Sequence, residues 1–511
     1  MTYGRPGVFI NETLQTTTIP ANAGANAAGA VIGKFAKGPS TAPVRVASWY
    51  EFVQNFGGYD TDYPATFGVA QFFQNGGSNL YVVRAIASDA ALGSAKYKTS
   101  GDVDRITFTA VNKGADANNL RVKLQSTGVD NYYNLVITKE TAASASDTDY
   151  TNDVIVETFY NVRYDSTTST DYIVSVVNGV SKYVTVAVTG SGAVVIGTNP
   201  VPLTGGNDGT AVAKADFETA LGLLDSVEVP LVIFSPEVNS AAVLGTTNGP
   251  TFIDAVVAWV GTRNHFVVAE PPVSSDVAAA ITYASARVTA ANTNGGIGKS
   301  QVAVYYPYYY ITDPLGRSSS SLRLVGPVGA VVGQYIATDT AFGPFKAPAG
   351  ISTRLSGSLA LERVLTPTNL DTLNSSSTPV NAIRNIPGSG IVIMGARTLK
   401  QDNSPNKYVN MRRSLIYIKK RLEDITQFAI FENNNEDLWA RLRTVVTVFL
   451  NEYRNQGGLR GNPSQAFFVK VDAENNTTQT IANGEVHIEV GVALQYPSEF
   501  VVINLSQKTV N

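Results

Sequence analysis

Apolar and polar positions alternate in different ways along the chain, and the changes of pattern divide it into regions. In residues 1–22 the apolar run of "PGVFINE" is typical of a strand and precedes the polar run "TLQTTT", with no nearby partner strand. We interpret this region as an N-terminal arm. Residues 23–87 combine a buried strand candidate, "GAVIGKFA", with a short helix candidate capped by Ser48 and ended by Gly57. They predict the first part of an α/β core.

Helical periodicity disappears over residues 88–205. Runs such as "RITFTAV", "YYNLVITKE" and "KYVTVAVTG" are strand-length, rich in Val, Ile, Thr and Tyr, and separated by Asn, Asp, Ser and Gly. They predict an inserted all-β module, either a sandwich or a barrel. Over residues 206–395 helix and strand patterns alternate again, as in "DFETALGLLDS" followed by "PLVIFSP". This alternation predicts the second part of the α/β core, with a mostly parallel sheet.

Residues 396–498 predict an α+β C-terminal domain. Two helix candidates carry apolar stripes, and Asn435 is a candidate N-cap of the second. The stripes consist of Met411, Leu415, Ile418, Leu422 and Ile425 in the first helix and of Trp439, Leu442, Val446, Phe449 and Tyr453 in the second. The runs "AFFVKVD" and "EVHIEVGVAL" are strand candidates. Residues 499–511 contain a last strand candidate, "EFVVINL", with no later partner, and we interpret them as a C-terminal strand arm.

Together these regions predict a fold class with three parts. They are an α/β core with a mostly parallel sheet, an inserted all-β module, and an α+β C-terminal domain with extended terminal strand arms. A terminal strand without a partner in its own chain is an edge that either frays or is completed by another chain.

The composition is typical of a globular protein. Of the 511 residues 44% are hydrophobic and 15% are charged, and the net charge of −3 gives no general attraction to nucleic acid or anionic membranes. The first residues lack the pattern of a signal peptide, and no stretch approaches the roughly 18 apolar residues of a membrane span. We therefore expect no direct nucleic-acid partner and no membrane insertion. The absence of cysteine excludes disulfides and cysteine nucleophiles.

No motif predicts catalysis, a cofactor or a metal site. The stretch "TNGGIGKS" approaches a phosphate-binding loop around Lys299, but Thr293 replaces the first glycine and the stretch leads from a helix into a strand. We interpret it as a glycine-rich turn. The two histidines, His265 and His487, lie in strand candidates, and no GxSxG nucleophile elbow accompanies them. The run that begins at Asp116 lacks the glycine and the distal glutamate of a calcium loop.

Two further patterns leave alternatives open. The densest basic group, Arg412, Arg413, Lys419, Lys420 and Arg421, is either a solvated helix face or a surface that docks against an acidic protein. Nucleic acid is a poorer alternative because few aromatic residues are interleaved with these charges. The tyrosine-rich stretch "VYYPYYYITDP" is either a stacking platform for sugars or bases, or a proline-interrupted strand that is buried or at an interface.

Several stretches, in this order, resemble contractile phage tail sheath proteins. They are "RPGVFINE" and "IPANAGANAAGAVIGKFAKGPSTAPVRVASWYEFVQNFGG" near the start, "VYYPYYYITDPLGR" and "VGPVGAVVGQYIATDTAFGPFKAPAG" in the middle, and the region from "YVNMRRSLIYIKKRLEDI" to "VHIEVGVALQYPSEFVVINL" at the end. The similarity covers nearly the whole chain except residues 88–205. No single phrase is a catalytic signature, but their joint order is specific.

The resemblance implies a mechanical role without catalysis, cofactor or metal. Subunits of such sheaths stack as hexameric rings around an inner tail tube, between baseplate and tail terminator proteins, and contract without nucleotide hydrolysis to drive the tube through the target cell envelope. It also implies a virion tail assembled in the host cytoplasm. The sheath of a tailocin or contractile injection system is the close alternative. An α/β enzyme that uses residues 216–313 is the alternative from a different class.

The resemblance further implies that the terminal arms add strands to neighbouring subunits. The arm residues are Gly7, Val8, Phe9, Ile10 and Asn11 at one end and Phe500, Val501, Val502, Ile503 and Leu505 at the other. The receiving strands are expected at Phe467, Phe468, Val469 and Val471 and at Val486, Ile488 and Val490. Arg412, Arg413, Lys419 and Lys420 are candidates for a surface that faces the tube.

Overall fold

The computed structural model describes residues 28–140, 150, 153–291, 298–316, 321–400 and 405–500. The strands are β1 Ala28–Lys34, β2 Val44–Val46, β3 Leu80–Ala85, β4 Ser94–Lys98, β5 Asp104–Ala110, β6 Leu120–Ser126, β7 Tyr133–Glu140, β8 Asp153–Val162, β9 Val184–Val188, β10 Val201–Pro202, β11 Leu231–Phe234, β12 Phe266–Ala269, β13 Val302–Tyr306, β14 Tyr309–Thr312, β15 Leu322–Val325, β16 Ala360–Leu361, β17 Asn381–Ile386, β18 Gly390–Ile393, β19 Phe467–Lys470 and β20 Glu489–Val492. The helices are α1 Trp49–Phe56, α2 Ala65–Gln74, α3 Ile173–Val177, α4 Lys214–Leu223, α5 Gly245–Val260, α6 Val277–Ala290, α7 Val328–Ala341, α8 Pro367–Ser375, α9 Val409–Thr426, α10 Glu436–Asn455, α11 Pro463–Ala466 and α12 Thr478–Ala482.

An eight-stranded sheet forms the centre of the α/β core. Its strand order is β18-β17-β13-β12-β11-β1-β3-β2. The inner pairs, from β17/β13 to β1/β3, are parallel, whereas the outermost pairs β17/β18 and β2/β3 are antiparallel. The prediction of a mostly parallel sheet is therefore confirmed. The inner strands β11 and β12 are buried at every position, as expected for parallel strands covered on both faces.

Helices pack on both faces of this sheet. One face buries Phe52 of α1, Phe72 of α2 and Val331 of α7. The opposite face buries Phe217 of α4 and Val256 of α5. The alternation of strand and helix patterns after residue 206 thus corresponds to a sheet wound on both sides.

The inserted β module consists of two sheets. One has the order β4-β5-β9 and the other the order β10-β6-β7-β8. They share one hydrophobic core, which includes Phe108 and Val186 from the first sheet and Val122 and Ile137 from the second. Two sheets packed around one core form a sandwich. Of the two predicted alternatives, a sandwich and a barrel, the structure therefore has the sandwich.

The tyrosine-rich stretch forms two strands in two different sheets. β13 ends at Tyr306 in the large sheet, and β14 begins at Tyr309 in a separate sheet with β15 and β16. Pro307 between them has no N–H to donate to a ladder, which favours the break. Tyr305, Tyr306 and Tyr309 are each at most 1% exposed, so they cannot serve as a stacking platform. The prediction of a buried, proline-interrupted strand is confirmed.

The C-terminal domain is built on α9 and α10. The side chain of Asn435 accepts a hydrogen bond from the main-chain N–H of Leu438 and caps α10, as predicted. The predicted stripe of α10 is buried along its length. Its Val446, Phe449 and Tyr453 pack with Met411 and Ile418 of α9 in a core separate from those of the large sheet. The boundaries of the six predicted regions stay predictions.

Candidate intersubunit surface of the C-terminal domain

A two-stranded ribbon closes the C-terminal domain. β19 and β20 pair antiparallel, with Phe467 opposite Val492 and Lys470 opposite Glu489. The main-chain N–H of Ala493 donates a hydrogen bond to the carbonyl of Ala466 at 2.8 Å. This pair lies directly next to the pair of Phe467 and Val492. Because hydrogen-bonded and non-hydrogen-bonded pairs alternate in antiparallel ladders, the next hydrogen-bonded pairs are 468/491 and 470/489. The main-chain groups of the intervening residues point away from the partner strand.

The two faces of the ribbon differ. Phe467, Val469, Val490 and Val492 pack against the core under α9 and α10. Phe468 lies on the other face and is 53% exposed. Its ring lies so close to Gly491 that an added Cβ at that position would be 2.1 Å from it. A flat aromatic ring over glycine therefore replaces a cross-strand side-chain pair at this position.

The outer edge of β20 is open in the described part of the chain. The outward main-chain groups of Val490 and Val492 have no hydrogen-bond partner among the described residues. The corresponding edge of β19 is partly used, because the carbonyl of Val471 accepts a hydrogen bond from the Arg443 guanidinium. A two-stranded ribbon is marginally stable by itself, so an open edge of this kind is a site for strand addition.

The predicted receiving residues occupy three positions relative to this ribbon. Phe467, Phe468 and Val469 lie in β19, and Val490 lies in β20. Val471 follows β19 directly. Val486 and Ile488 precede β20, which begins at Glu489 and is shorter than the predicted strand.

Most of the predicted arm residues lie outside the described residues. This applies to Gly7, Val8, Phe9, Ile10, Asn11, Val501, Val502, Ile503 and Leu505. Phe500 is described, and its side chain is 68% exposed. The proposed roles of these residues stay predictions.

The segment that leads to Phe500 is anchored on the α/β core. Glu499 accepts hydrogen bonds from Nε and Nη2 of Arg397, both at 2.7 Å, and from the hydroxyl of Tyr408 at 3.3 Å. Arg397 also donates from Nη1 to the carbonyl of Asn374 at 2.8 Å. Residues 497–499 thereby form one wall of a groove whose other walls include residues 347–350 and 394–397. The sequence does not reveal this anchor, because its partners are 102 positions apart.

The structure gives the four predicted tube-facing residues, Arg412, Arg413, Lys419 and Lys420, different surroundings. Arg412 and Arg413 are each only 5% exposed. Arg413 forms a two-pronged ion pair with Asp339 of α7, which is completely buried. Desolvation raises the pKa of Asp339, and the positive charge of Arg413 opposes that shift. Desolvation also lowers the pKa of Arg412 to about 10.

The prediction of a tube-facing surface is therefore wrong for Arg412 and Arg413, because the subunit's own core covers them. Arg413 lies outside the apolar stripe of α9, yet it contacts Asp339 and the Tyr335 ring of α7. Lys419 is exposed. Lys420 forms an ion pair with Asp424 at 3.1 Å. Lys419 therefore remains accessible to a partner surface, whereas the Lys420 side chain is only 15% exposed, and its tube-facing role stays a prediction.

Neither histidine has catalytic surroundings. Nδ1 of His265 accepts a hydrogen bond from the main-chain N–H of Leu231 at 3.1 Å, and its ring stacks on Trp259. Burial lowers the pKa of His265 to about 4, so the ring is neutral at pH 7 and links two strands. His487 is exposed and lies 3.0 Å from the Glu485 carboxylate.

Lys299 lies in a helix-to-strand connection. Residues 292–297 of the glycine-rich stretch are outside the described residues. The following turn, Gly298–Gln301, leads directly into β13. Its Gln301 side chain donates to the carbonyls of Val260 and His265 at 3.0 and 2.9 Å, which fixes the turn to the end of α5. Within the described ranges, no three His, Asp or Glu side chains form a group that could hold a metal ion. No described helix is long and apolar enough to cross a membrane.

Two glutamates meet at the carboxyl edge of the large sheet, of which Glu270 is buried and Glu237 is half-buried. Glu237 follows β11 and Glu270 follows β12. The N–H of Glu237 donates to the Glu270 carboxylate at 2.9 Å, while the N–H groups of Gly326 and Val328 donate to Glu237 and Glu270 at 3.0 and 3.2 Å. Burial raises the pKa of both carboxyls, and the negative charge of Glu237 raises that of Glu270 further. Both carboxyls accept main-chain hydrogen bonds from residues 326–328, so we interpret the pair as a structural link between the sheet and the start of α7.

Comparison with known proteins identifies the C-terminal domain and the fold. Residues 401–508 match the family model of the phage tail sheath C-terminal domain. The tail sheath protein of Vibrio phage KVP40 is 25% identical over 183 residues, which are 36% of this chain. The matched part spans only about a quarter, 26%, of that relative.

Solved structures extend the similarity along the chain. The contracted helical sheath of the anti-feeding prophage matches with a TM-score of 0.57 and 19% identity, over 99% of this chain and 100% of that chain. The contracted sheath of the extracellular contractile injection system PVC has a TM-score of 0.55 and 19% identity, over 99% of both chains. The sheath tail protein of Listeria innocua has a TM-score of 0.60 and 13% identity, over 88% and 89%. These relatives are structural sheath proteins and not enzymes. The C-terminal domain thus matches that of phage tail sheath proteins, and the chain shares the fold of contractile sheath proteins over nearly its whole length.

Proposed function

We propose that this chain polymerises with further copies of itself as stacked hexameric rings around an inner tail tube, between a baseplate and a tail terminator. Contraction of the polymer drives the tube through the target cell envelope without nucleotide hydrolysis. Its location is the tail of a virion assembled in the host cytoplasm, or the corresponding part of a tailocin or contractile injection particle. The two kinds of particle use the same polymer.

The open edge of β20 is the observation that carries this proposal. A strand from a neighbouring copy would satisfy the outward main-chain groups of Val490 and Val492 and convert the marginal ribbon into a larger sheet. Each new main-chain hydrogen bond contributes about 0.5–1.5 kcal/mol. The residues proposed to supply strands are 7–11 and 500–505 of neighbouring copies.

The anchor at Glu499 defines where the C-terminal arm leaves its own subunit. Arg397 and Tyr408 hold Glu499, and Phe500 follows with an exposed side chain. A load on the arm would therefore be transmitted to the α/β core through a two-pronged ion pair. In this arrangement the paired strand keeps copies attached while the cores rotate and repack.

Contraction without nucleotide requires two packings of different free energy. A repeated heterologous interface can supply them, because packed surfaces have discrete arrangements. A gap of about 5 kcal/mol moves a two-state equilibrium almost completely from one side to the other. A smaller free-energy difference per subunit is sufficient to drive contraction, because it is summed over many copies.

Terminal truncation with electron microscopy tests the proposal. We expect the full-length chain, and a control chain ending after Gln507, to form rings or striated tubes in negative stain. A chain ending after Glu499 keeps the anchor but lacks residues 500–505, and we expect it to stay monomeric. Equal polymerisation of both truncated chains would contradict strand exchange by the C-terminal arm.

Of the four residues predicted to face the tube, Lys419 and Lys420 remain in the proposal. Charge reversal of both residues should weaken attachment to purified inner tube in co-sedimentation while polymer formation persists. A matched reversal at Lys96 and Lys98 of the β module should leave attachment unchanged. Attachment that is unaffected by reversal at Lys419 and Lys420 would remove this surface from the proposal.

A further inference from the structure

A basic cleft separates the α/β core from the inserted β module. It has a volume of about 470 Å³. The core contributes Lys37 and Asn55, and the module contributes Lys113, Lys139 and Lys182. These lysines lie in or next to different strands. They are therefore brought together by the fold and not by closeness in the sequence.

Arg84 fixes the two walls of the cleft relative to each other. It is 2% exposed and lies on β3. Its Nη1 donates to the carbonyl of Gly38 on the core wall at 3.1 Å and to the carbonyl of Lys113 on the module wall at 2.8 Å. Its Nη2 pairs with Asp208 at 3.2 Å, and Asp208 also accepts from the N–H of Ala115. The walls are therefore cross-linked before any ligand enters, which lowers the cost of ordering on binding.

The charge within the cleft is unbalanced. Four ammonium groups line it against one carboxylate, that of Asp116, which pairs with Lys139 at 2.7 Å. Lys37, Lys113 and Lys182 form no ion pair among the described residues. Burial lowers the pKa of Lys37, and the positive charge of Lys139 lowers it further. Like charges held in a partly desolvated cleft repel each other, and an anion would relieve that repulsion.

We propose that this cleft binds a small multivalent oxyanion of the phosphate or pyrophosphate class, which bridges the α/β core and the β module. Lys37 and Lys182 come from opposite walls and are the main ligands. Asn112 lines the same cleft and carries a neutral hydrogen-bond donor, whereas Nδ2 of Asn55 already donates to the carbonyl of Glu51 at 2.8 Å and has one further N–H to offer. A multivalent oxyanion fits better than chloride because it accepts several charge-assisted hydrogen bonds at once. Bound in this way, the anion adds a second link between the module and the core beside that of Arg84.

Calorimetric titration of the full-length chain with inorganic pyrophosphate tests the proposal. Ionic strength is held constant with sodium chloride, and inorganic phosphate is titrated in parallel. We expect saturable binding to the natural chain and a loss of affinity of at least about tenfold in the double variant Lys37→Gln, Lys182→Gln. The control variant Lys96→Gln, Lys98→Gln removes two module lysines that pair with Asp104 and Asp102 outside the cleft. It should bind as the natural chain does.

Thermal unfolding distinguishes binding from a folding defect. The unliganded unfolding temperature of the double variant should equal or exceed that of the natural chain, because two repelling charges are removed. Pyrophosphate should raise the unfolding temperature of the natural chain and of the control variant, and raise that of the double variant much less. No saturable binding, equal binding by the double variant, or an equal thermal shift with chloride at matched ionic strength would each overturn the proposal.

Discussion

The neighbouring carboxyls of Glu237 and Glu270 predict a specific pH dependence of stability. Both carboxyls have raised pKa values in the folded chain, because burial disfavours their ionised forms. They therefore bind protons more tightly when folded than in the unfolded chain, where the ordinary value is about 4.3. Their stabilising contribution is complete below that value and is lost as the pH rises through the raised folded pKa.

The perturbation that isolates this effect is Glu237→Gln. The amide carbonyl can still accept the 3.0 Å hydrogen bond from Gly326, while the charge and the titration are removed. The neighbouring charges stay in place: that of Arg323 favours ionisation of Glu237, and that of Glu362 opposes it. Removal of Glu237 also removes the charge that raises the pKa of Glu270. Burial still raises the pKa of Glu270 in the variant, so the variant should lose the part of the pH dependence that Glu237 contributes and keep part of that of Glu270.

The magnitude follows from proton linkage. Each extra proton that the folded state holds changes the free energy of unfolding by about 1.4 kcal/mol per pH unit. For a domain of a few hundred residues this corresponds to about 3–5 °C in unfolding temperature per pH unit. Two carboxyls hold extra protons, so between pH 6 and pH 8 the natural chain should lose stability at up to about twice this rate. The slope for Glu237→Gln should be smaller by about the amount of one proton.

Differential scanning calorimetry at half-unit pH steps measures these slopes. The control is Glu218→Gln, which changes an exposed carboxylate that pairs with Lys214 on α4. The unfolding temperature of the control should depend on pH with the same slope as that of the natural chain. If the curve of Glu237→Gln is also parallel to that of the natural chain, the pair does not retain protons and the reasoning is refuted.

Three further substitutions test the contacts of the C-terminal domain. Asp339→Ala leaves the buried Arg413 without its partner and should destabilise the chain by about 3–5 kcal/mol in urea unfolding; a cost below about 1 kcal/mol would show that the pair is not needed there. Asn435→Ala removes the cap of α10 and should cost about 1 kcal/mol in the same assay, with Asn435→Gly much closer to the natural chain. Arg397→Ala frees Glu499 and should speed cleavage at the C-terminal end in limited proteolysis, whereas an unchanged cleavage rate would contradict the anchor.

Local signals are sufficient to predict the elements of this fold. α10 is predictable because its cap at Asn435 and its apolar stripe both act within the helix. Glu237 and Glu270 could also have been paired from sequence, since "LVIFSPE" and "HFVVAE" each end a buried strand, and the ends of adjacent parallel strands meet at one sheet edge. The break of the tyrosine-rich stretch at Pro307 follows from its missing N–H.

Contacts between residues that are far apart in the sequence could not be predicted from it. Arg413 is a basic residue beside an apolar stripe, and such a residue normally faces solvent. Its burial depends on Asp339, 74 positions earlier in the chain. The cleft at Lys37 has the same origin, because residues from two parts of the fold converge only when the β module docks on the core.

High-resolution electron cryo-microscopy of the assembled polymer tests the central claim most directly. The decisive observation is the main chain next to the outer edge of β20. We predict a strand from a neighbouring copy, hydrogen-bonded to Val490 and Val492, and continuous with residues 7–11 or 500–505 of that copy. An edge that is bare in the polymer, or covered by the chain's own terminus, would contradict strand exchange as the link between subunits.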